Sequence, residues 1–228
     1  MRVTVRHGPA FAAARCVLDP GEAMRAESGA MMAHSAGVEI TAEVEGGPIP
    51  GLKRGVPAGE SLLQTTFTAP ATGGWVDVAT ALPGDIANIT LTPDVPAFVL
   101  TRTSWLANSA GVRIDTKWGG PHNLVGGEGG FLVHASGSGE VILGCYGALD
   151  VLDLEAGEQV VIDTGYVVAY APTITFATRR AARGRAIASV TPGEGSVFDF
   201  TGPGRVLIQT RNPSAFADFV TGLSGVRD

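Results

Sequence analysis

Gly59-Glu60-Ser61-Leu62-Leu63, Gly127-Glu128-Gly129-Gly130-Phe131 and Gly193-Glu194-Gly195-Ser196-Val197 render one phrase three times. A Gly-Glu pair leads through small residues into an apolar, alternating run, and the three copies stand 68 and 66 residues apart. Each run meets glycine again: Gly73-Gly74 before Trp75, Gly137-Ser138-Gly139 before Glu140, and Gly202-Pro203-Gly204 before Arg205. A second alternating run then follows. Period-two alternation marks a strand with one buried face, and glycine between two such runs supplies the positive φ of a tight turn, so each pair reads as a β-hairpin.

A second phrase falls between the first ones. It reads Leu18-Asp19-Pro20-Gly21-Glu22 and Leu154-Glu155-Ala156-Gly157-Glu158, with a shorter middle copy, Leu82-Pro83-Gly84-Asp85. Ala33 and Ala169 each lie twelve residues past the glycine, whereas Ala107 lies further on because Thr92-Pro93-Asp94-Val95-Pro96 inserts a longer hairpin loop. Two motifs in one order, three times over, predict an all-β chain of three repeated units at about 1–74, 75–140 and 141–211. A unit with one apolar face cannot bury it alone, so three are expected to pack about a pseudo-threefold axis. The exception is the C-terminal segment, 212–224. Asn212 suits an N-cap, Pro213 the first helical turn, and Phe216, Phe219, Val220 and Leu223 share one helical face, which predicts a short amphipathic helix closing the fold.

The 228 residues are 45% hydrophobic and 17% charged, which suits a folded chain that needs no staples. Cys16 and Cys145 are too few for a disulfide framework or a cysteine-rich zinc site and read as buried thiols. The net charge of −6 argues against nucleic acid as a partner, because phosphate neutralisation dominates that affinity. No apolar stretch of transmembrane length occurs, and the opening Met1–Phe11 lacks the apolar region of a signal peptide, so a cytoplasmic location is expected.

Arg6-His7-Gly8-Pro9-Ala10-Phe11, Glu27-Ser28-Gly29-Ala30-Met31, Gly51-Leu52-Lys53-Arg54, Asp115-Thr116-Lys117-Trp118, Asp163-Thr164-Gly165 and the run from Gly202 to Pro213 resemble the AIM (altered inheritance of mitochondria) family of uncharacterised proteins. The resemblance spans almost the whole chain. It implies repeated β-sandwich-like units similar in fold to the tryptophan RNA-binding attenuation protein, and it brings no enzymatic activity with it. The family's mitochondrial member is linked to inner-membrane organisation and carries a targeting presequence, which the opening Met1–Phe11 is not expected to supply. Fold kinship with an RNA binder does not confer RNA binding, and no basic or aromatic position recurs three times.

Catalytic signatures are missing. His7, His34, His122 and His134 have neither His-x-His nor His-x-x-x-His spacing, so local zinc and cupin-type ligand patterns are absent. Ala135-Ser136-Gly137-Ser138-Gly139 lacks the first glycine of a nucleophile elbow, and no Gly-Lys-Ser/Thr forms a phosphate loop. No catalytic residue, cofactor or metal is therefore assigned. The repeated acids Glu60, Glu128 and Glu194, with Glu22, Asp85 and Glu158, read as turn acids that accept backbone N–H groups. Before each Gly-Glu runs a long connection, 46–58, 119–126 and 179–192. Lys53 and Arg54 lie in the first, Lys117 and His122 at the second, and Arg179, Arg180, Arg183 and Arg185 in the third. Threefold packing would bring these three loops to one end as a rim for an anionic ligand, a lipid headgroup or an acidic protein partner. The expected function is thus that of a non-enzymatic, homo-oligomeric binding or scaffold protein. The alternatives are an unrecognised enzyme or small-molecule site between units and, more weakly, RNA binding.

Overall fold

A computed structural model describes residues 1–44, 63–115, 132–180 and 196–224. The chain begins with β1 (Arg2–Arg6), β2 (Ala13–Leu18), β3 (Ala23–Glu27), β4 (Met31–His34), β5 (Glu39–Val44), β6 (Leu63–Thr68) and β7 (Gly74–Ala79). There follow β8 (Ile86–Leu91), β9 (Ala97–Thr101), β10 (Trp105–Ser109), β11 (Val112–Asp115), β12 (Leu132–Gly137) and β13 (Gly139–Gly144). The last third holds β14 (Leu149–Leu154), β15 (Gln159–Asp163), β16 (Val167–Tyr170), β17 (Thr175–Arg180), β18 (Ser196–Thr201), β19 (Gly204–Gln209) and the helix α1 (Pro213–Ser224). The chain is mostly β, as the alternation predicts.

These strands form four antiparallel sheets. Their orders are β1-β2-β7-β4, β5-β6-β3-β10-β13-β8, β11-β12-β9-β16-β19-β14 and β15-β18-β17. The predicted hairpins are therefore not hairpins. β6 pairs with β3 and β5 while β7 pairs with β2 and β4, so the Gly73-Gly74 turn carries the chain from one sheet to another. The same holds at Gly137-Ser138-Gly139 and at Gly202-Pro203-Gly204. Glycine is needed there for a crossing between packed layers: Gly137 has φ 120°, and a Cβ on it would strike the Gly111 carbonyl. Thr92–Pro96 also links two sheets, closed on itself by reciprocal Thr92 and Val95 N–H···O bonds of 3.1 and 3.0 Å.

Three cores fill the spaces between successive sheets. Ala14, Cys16, Val76 and Val78 of the first sheet meet Met24, Phe67, Ala107 and Ile142 of the second. Leu91, Trp105, Val141 and Leu143 of the second meet Phe98, Leu100, Val133 and Leu207 of the third. Val99, Leu132, Tyr170 and Val206 of the third meet Ile162, Phe198 and Phe200 of the fourth. On β13, Ile142 points to the first core and its neighbours Val141 and Leu143 to the second; on β9, Val99 and its neighbours split likewise between the third and second. The middle sheets are thus buried on both faces, which is why β9, β10 and β16 are buried at every residue rather than at alternate ones.

The outer face of the first sheet is tied differently. Asp77 on β7 is only 5% exposed and accepts two bonds from Arg15 (2.9 and 2.8 Å) and one from Arg6 (2.8 Å). The Arg15 guanidinium also lies 3.9 Å over the Trp75 ring. One carboxylate so links β1, β2 and β7. α1 starts as predicted, with the Ser214 N–H donating to Asn212 Oδ1 at 2.9 Å. Its apolar stripe does not close the fold, however. Phe216 meets the Tyr146 ring at 5.6 Å, but Phe219 and Leu223 are 62% and 60% exposed.

Two variants test this packing. Tyr170 is 1% exposed within a cluster of Phe176, Phe198 and Phe200, and its hydroxyl has no hydrogen-bond partner among the described residues. Because a buried unpaired hydroxyl costs stability, Tyr170→Phe is expected to leave the denaturant midpoint unchanged or raise stability by about 1 kcal/mol; a loss above that size would contradict the packing. The Asp77 carboxyl is held below the usual range, chiefly by its hydrogen bonds from Arg15 and then Arg6. Its stabilisation is therefore complete above the unfolded-state value near pH ~4 and fades as pH falls through the lower folded-state value. Asp77→Asn is expected to cost about 2 kcal/mol at pH 7, with the difference from wild type shrinking on acidification in pH-dependent denaturation curves.

Candidate functional site

The arrangement of strand edges is the feature with most chemical consequence. β10 lies between β13 and β3, and β16 lies between β19 and β9, so both are paired on two sides. β4 occupies the corresponding place beside β7 but, among the described residues, ends its sheet. β15, beside β18, ends the fourth sheet in the same way. Burial follows the pairing. β10 and β16 are buried throughout, whereas Met31 and Met32 on β4 are 37% and 59% exposed and Val161 on β15 is 55% exposed. Neither β4 (Met-Met-Ala-His) nor β15 (Gln-Val-Val-Ile-Asp) carries the proline or lysine that commonly blunts an edge. Such an edge offers a row of backbone donors and acceptors to another strand.

A shallow cleft of ≈ 340 Å³ adjoins the β15 edge, lined by Gln159, Val160, Val161, Arg179 and Asp199. Arg179 closes one wall, donating to Asp199 through Nε at 2.7 Å and through a terminal nitrogen at 3.0 Å. A second cleft of ≈ 300 Å³ lies where β3 meets β10 and includes Arg25, Asn108 and Arg113. Arg25 there donates to the Ala110 carbonyl at 3.2 Å.

Of the predicted basic rim, Arg179 alone has a described side chain, and it is engaged by Asp199. Arg180 ends β17 by its backbone. Lys53, Arg54, Lys117, His122, Arg183 and Arg185 lie outside the described residues, as do the turn acids Glu60, Glu128 and Glu194. The companion acids are described and do what turn acids do. Glu22 accepts the Asp19 N–H at 2.9 Å and pairs with the Met1 amino group; Glu158 accepts the Glu155 N–H at 2.8 Å; Asp85 accepts the Ile86 N–H at 2.9 Å. Nucleophile chemistry has no footing at the thiols. Cys16 and Cys145 are buried and free, and burial pushes them up to about 12 and about 11. Burial likewise lowers His134. Among the described residues no cluster of three or more His, Cys, Asp or Glu side chains is arranged to hold a metal ion, and no helix is long and apolar enough to cross a membrane.

Sequence reasoning missed both the open edges and the Asp77 cluster. The second had a signal. In register, Ala33 faces Asp77, Ala107 faces Ile142 and Ala169 faces Leu207, so an acid stands on β7 where β13 and β19 carry buried aliphatics. The edges had none, since the motif around Ala33 reads like the motif around Ala169.

Comparison with known proteins places this geometry. An uncharacterised protein of Streptococcus pyogenes serotype M6 is 26% identical over 226 residues, covering 95% of this chain and 88% of the relative. A crystal structure of a Streptococcus pyogenes protein is similar in fold, with a TM-score of 0.78 and 22% identity over 97% of this chain and 99% of that one. The family described as "Mitochondrial biogenesis AIM24" matches residues 3–211. With nearly its whole length matched and its β architecture shared, the chain belongs to the AIM24 family.

Proposed function

We propose that this chain is a non-enzymatic binding or scaffold protein made of three copies of one two-layered unit, with the basic connections between paired strands taking an anionic ligand. One observation carries the reading: a single pairing scheme recurs in chain order. β2-β7-β4, β8-β13-β10 and β14-β19-β16 are three trios, and β3-β6-β5, β9-β12-β11 and β15-β18-β17 are three more. Even the irregularity recurs, between Met31 and Ala33, between Trp105 and Ala107, and between Val167 and Ala169. We set the seams between units at 80–85 and 145–148, because β7 pairs with β2 and β13 with β8. Kinship with the tryptophan RNA-binding attenuation protein belongs to the same reading and rests on the repeated unit alone; the net charge of −6 speaks against RNA as the ligand.

The basic residues support the anionic ligand by their position in this scheme. The segment with Lys53 and Arg54 joins β5 to β6, that with Lys117 and His122 joins β11 to β12, and that with Arg183 and Arg185 joins β17 to β18. All three connect equivalent paired strands. Arg179 is held by Asp199, so Arg183 and Arg185 are the contacts to test.

The probe is a vesicle series, anionic phospholipid against zwitterionic, in a sedimentation assay. Wild type is expected to bind the anionic vesicles in a salt-sensitive way. Each basic residue near such a surface contributes about 1 kcal/mol, so Arg183→Gln with Arg185→Gln is expected to weaken binding roughly thirtyfold with an unchanged melting temperature. Equal binding by the double variant, or no preference for anionic vesicles by wild type, contradicts the ligand assignment.

A further inference from the structure

We infer that β4 of one chain pairs with β15 of a second copy, head to tail, so that chains join through the strand pairing that already operates twice inside each chain. The inference rests on the three-unit reading above. Within the chain, β10 pairs with β3 and β16 with β9, each joining one trio of strands to a trio from the preceding unit. By the same scheme, among the described residues, β4 lacks the strand before it and β15 lacks the strand after it. The two open edges are the two halves of a joint already built.

The register follows from the internal joints. Ala107 stands opposite Ala26, and Ala169 opposite Leu100. Ala33 is the counterpart of those alanines, the residue just past the irregularity in its strand. Ile162 is the counterpart of Ala26, each five residues beyond a positive-φ turn glycine, Gly157 and Gly21. The joint therefore sets Ala33 against Ile162 of the second copy, and His34 against its Val161. Exposure fits two surfaces awaiting each other: Ala107 and Ala169 are fully buried, whereas Ala33 is exposed, Met32 is 59% exposed and Val161 is 55% exposed.

An internal joint is more than a strand pair. Ile86, Leu106, Ala107 and Ile142 from the following unit also enter the first core. The joint between copies would add the outer face of the first sheet to the third core in the same manner. There Asp77 replaces the aliphatic residue, but it arrives with its hydrogen bonds to Arg6 and Arg15 already made, so its burial strands no bare carboxylate. Because the two surfaces differ, the contact is heterologous and propagates into a ring or an open row of chains.

The test is disulfide trapping between full-length variants that each add one cysteine to the buried Cys16 and Cys145. Ala33→Cys and Ile162→Cys proteins are expected to give a covalent pair when mixed, and neither alone. The doubly substituted chain is expected to give a ladder of multimers. As an independent readout, Ala33→Arg, which alters only a side chain exposed in the single chain but at the place where Ala107 and Ala169 are fully buried, is expected to abolish multimers in native mass spectrometry without lowering the melting temperature. An Ala26→Cys, Ala107→Cys chain serves as the control, since it traps the internal joint in the same register. If the control links and the mixed variants do not, the joint between copies is overturned while the unit reading stands. A doubly substituted chain that links only within itself overturns it too, by closing one chain on its own edges. If the control itself fails to link, the unit reading falls and the inference falls with it.

Discussion

The pairing of β10 with β3, repeated as β16 with β9, is the constraint on which the rest of the structure depends. It makes one sheet out of strands from two stretches of chain, and so forces both faces of that sheet to be covered. The burial of Trp105, Ala107, Val168 and Ala169 on consecutive or alternate positions follows from this, as does the split of β13 between two cores. The cross-sheet turns follow as well. A chain that must leave one packed layer and enter the next within two residues needs a backbone without side chains, which is what Gly137 and Gly139 provide with φ values of 120° and 128°.

The same constraint explains what changes at the ends of the stack. Where a sheet has a neighbour on each face, the position opposite the alanine of the irregular strand is Ile142 or Leu207. Where the first sheet has a neighbour on one face only, that position is Asp77, satisfied by two arginines that reach solvent. A polar outer face on the last sheet of a stack limits the exposed apolar patch there. The sheet edges of β4 and β15 carry no such polar guard, while the carboxylate on the outer face already has its hydrogen bonds made and can be covered without being stranded.

Much of this was legible in the residues themselves. The alternation that follows each Gly-Glu phrase and the Asn212-Pro213 start of the helix each correspond to an element where expected, β6, β12 and β18 for the first and α1 for the second. The hairpins were not legible, because a turn glycine that reverses a strand and one that lifts it into another layer look alike in sequence. The helix face was misread for a related reason: Phe216, Phe219, Val220 and Leu223 fall on one stripe whether or not anything lies beneath it, and three-fifths of Leu223 remains exposed. Of the candidate site, the turn acids Glu22, Asp85 and Glu158 behave as local chemistry predicted. The open edges could not be foreseen, since openness is a property of what a strand fails to meet and leaves no mark in its own residues.

The measurement that bears most directly on this account is amide hydrogen exchange, read by mass spectrometry in dilute solution where the chain is a single copy. β10 and β16, paired on both sides and buried, are predicted to exchange orders of magnitude more slowly than β4, which is their counterpart in sequence and position but is paired on one side only. Protection of β4 equal to that of β10 and β16 in the single copy would mean that the chain already pairs this edge within itself, and would contradict the account.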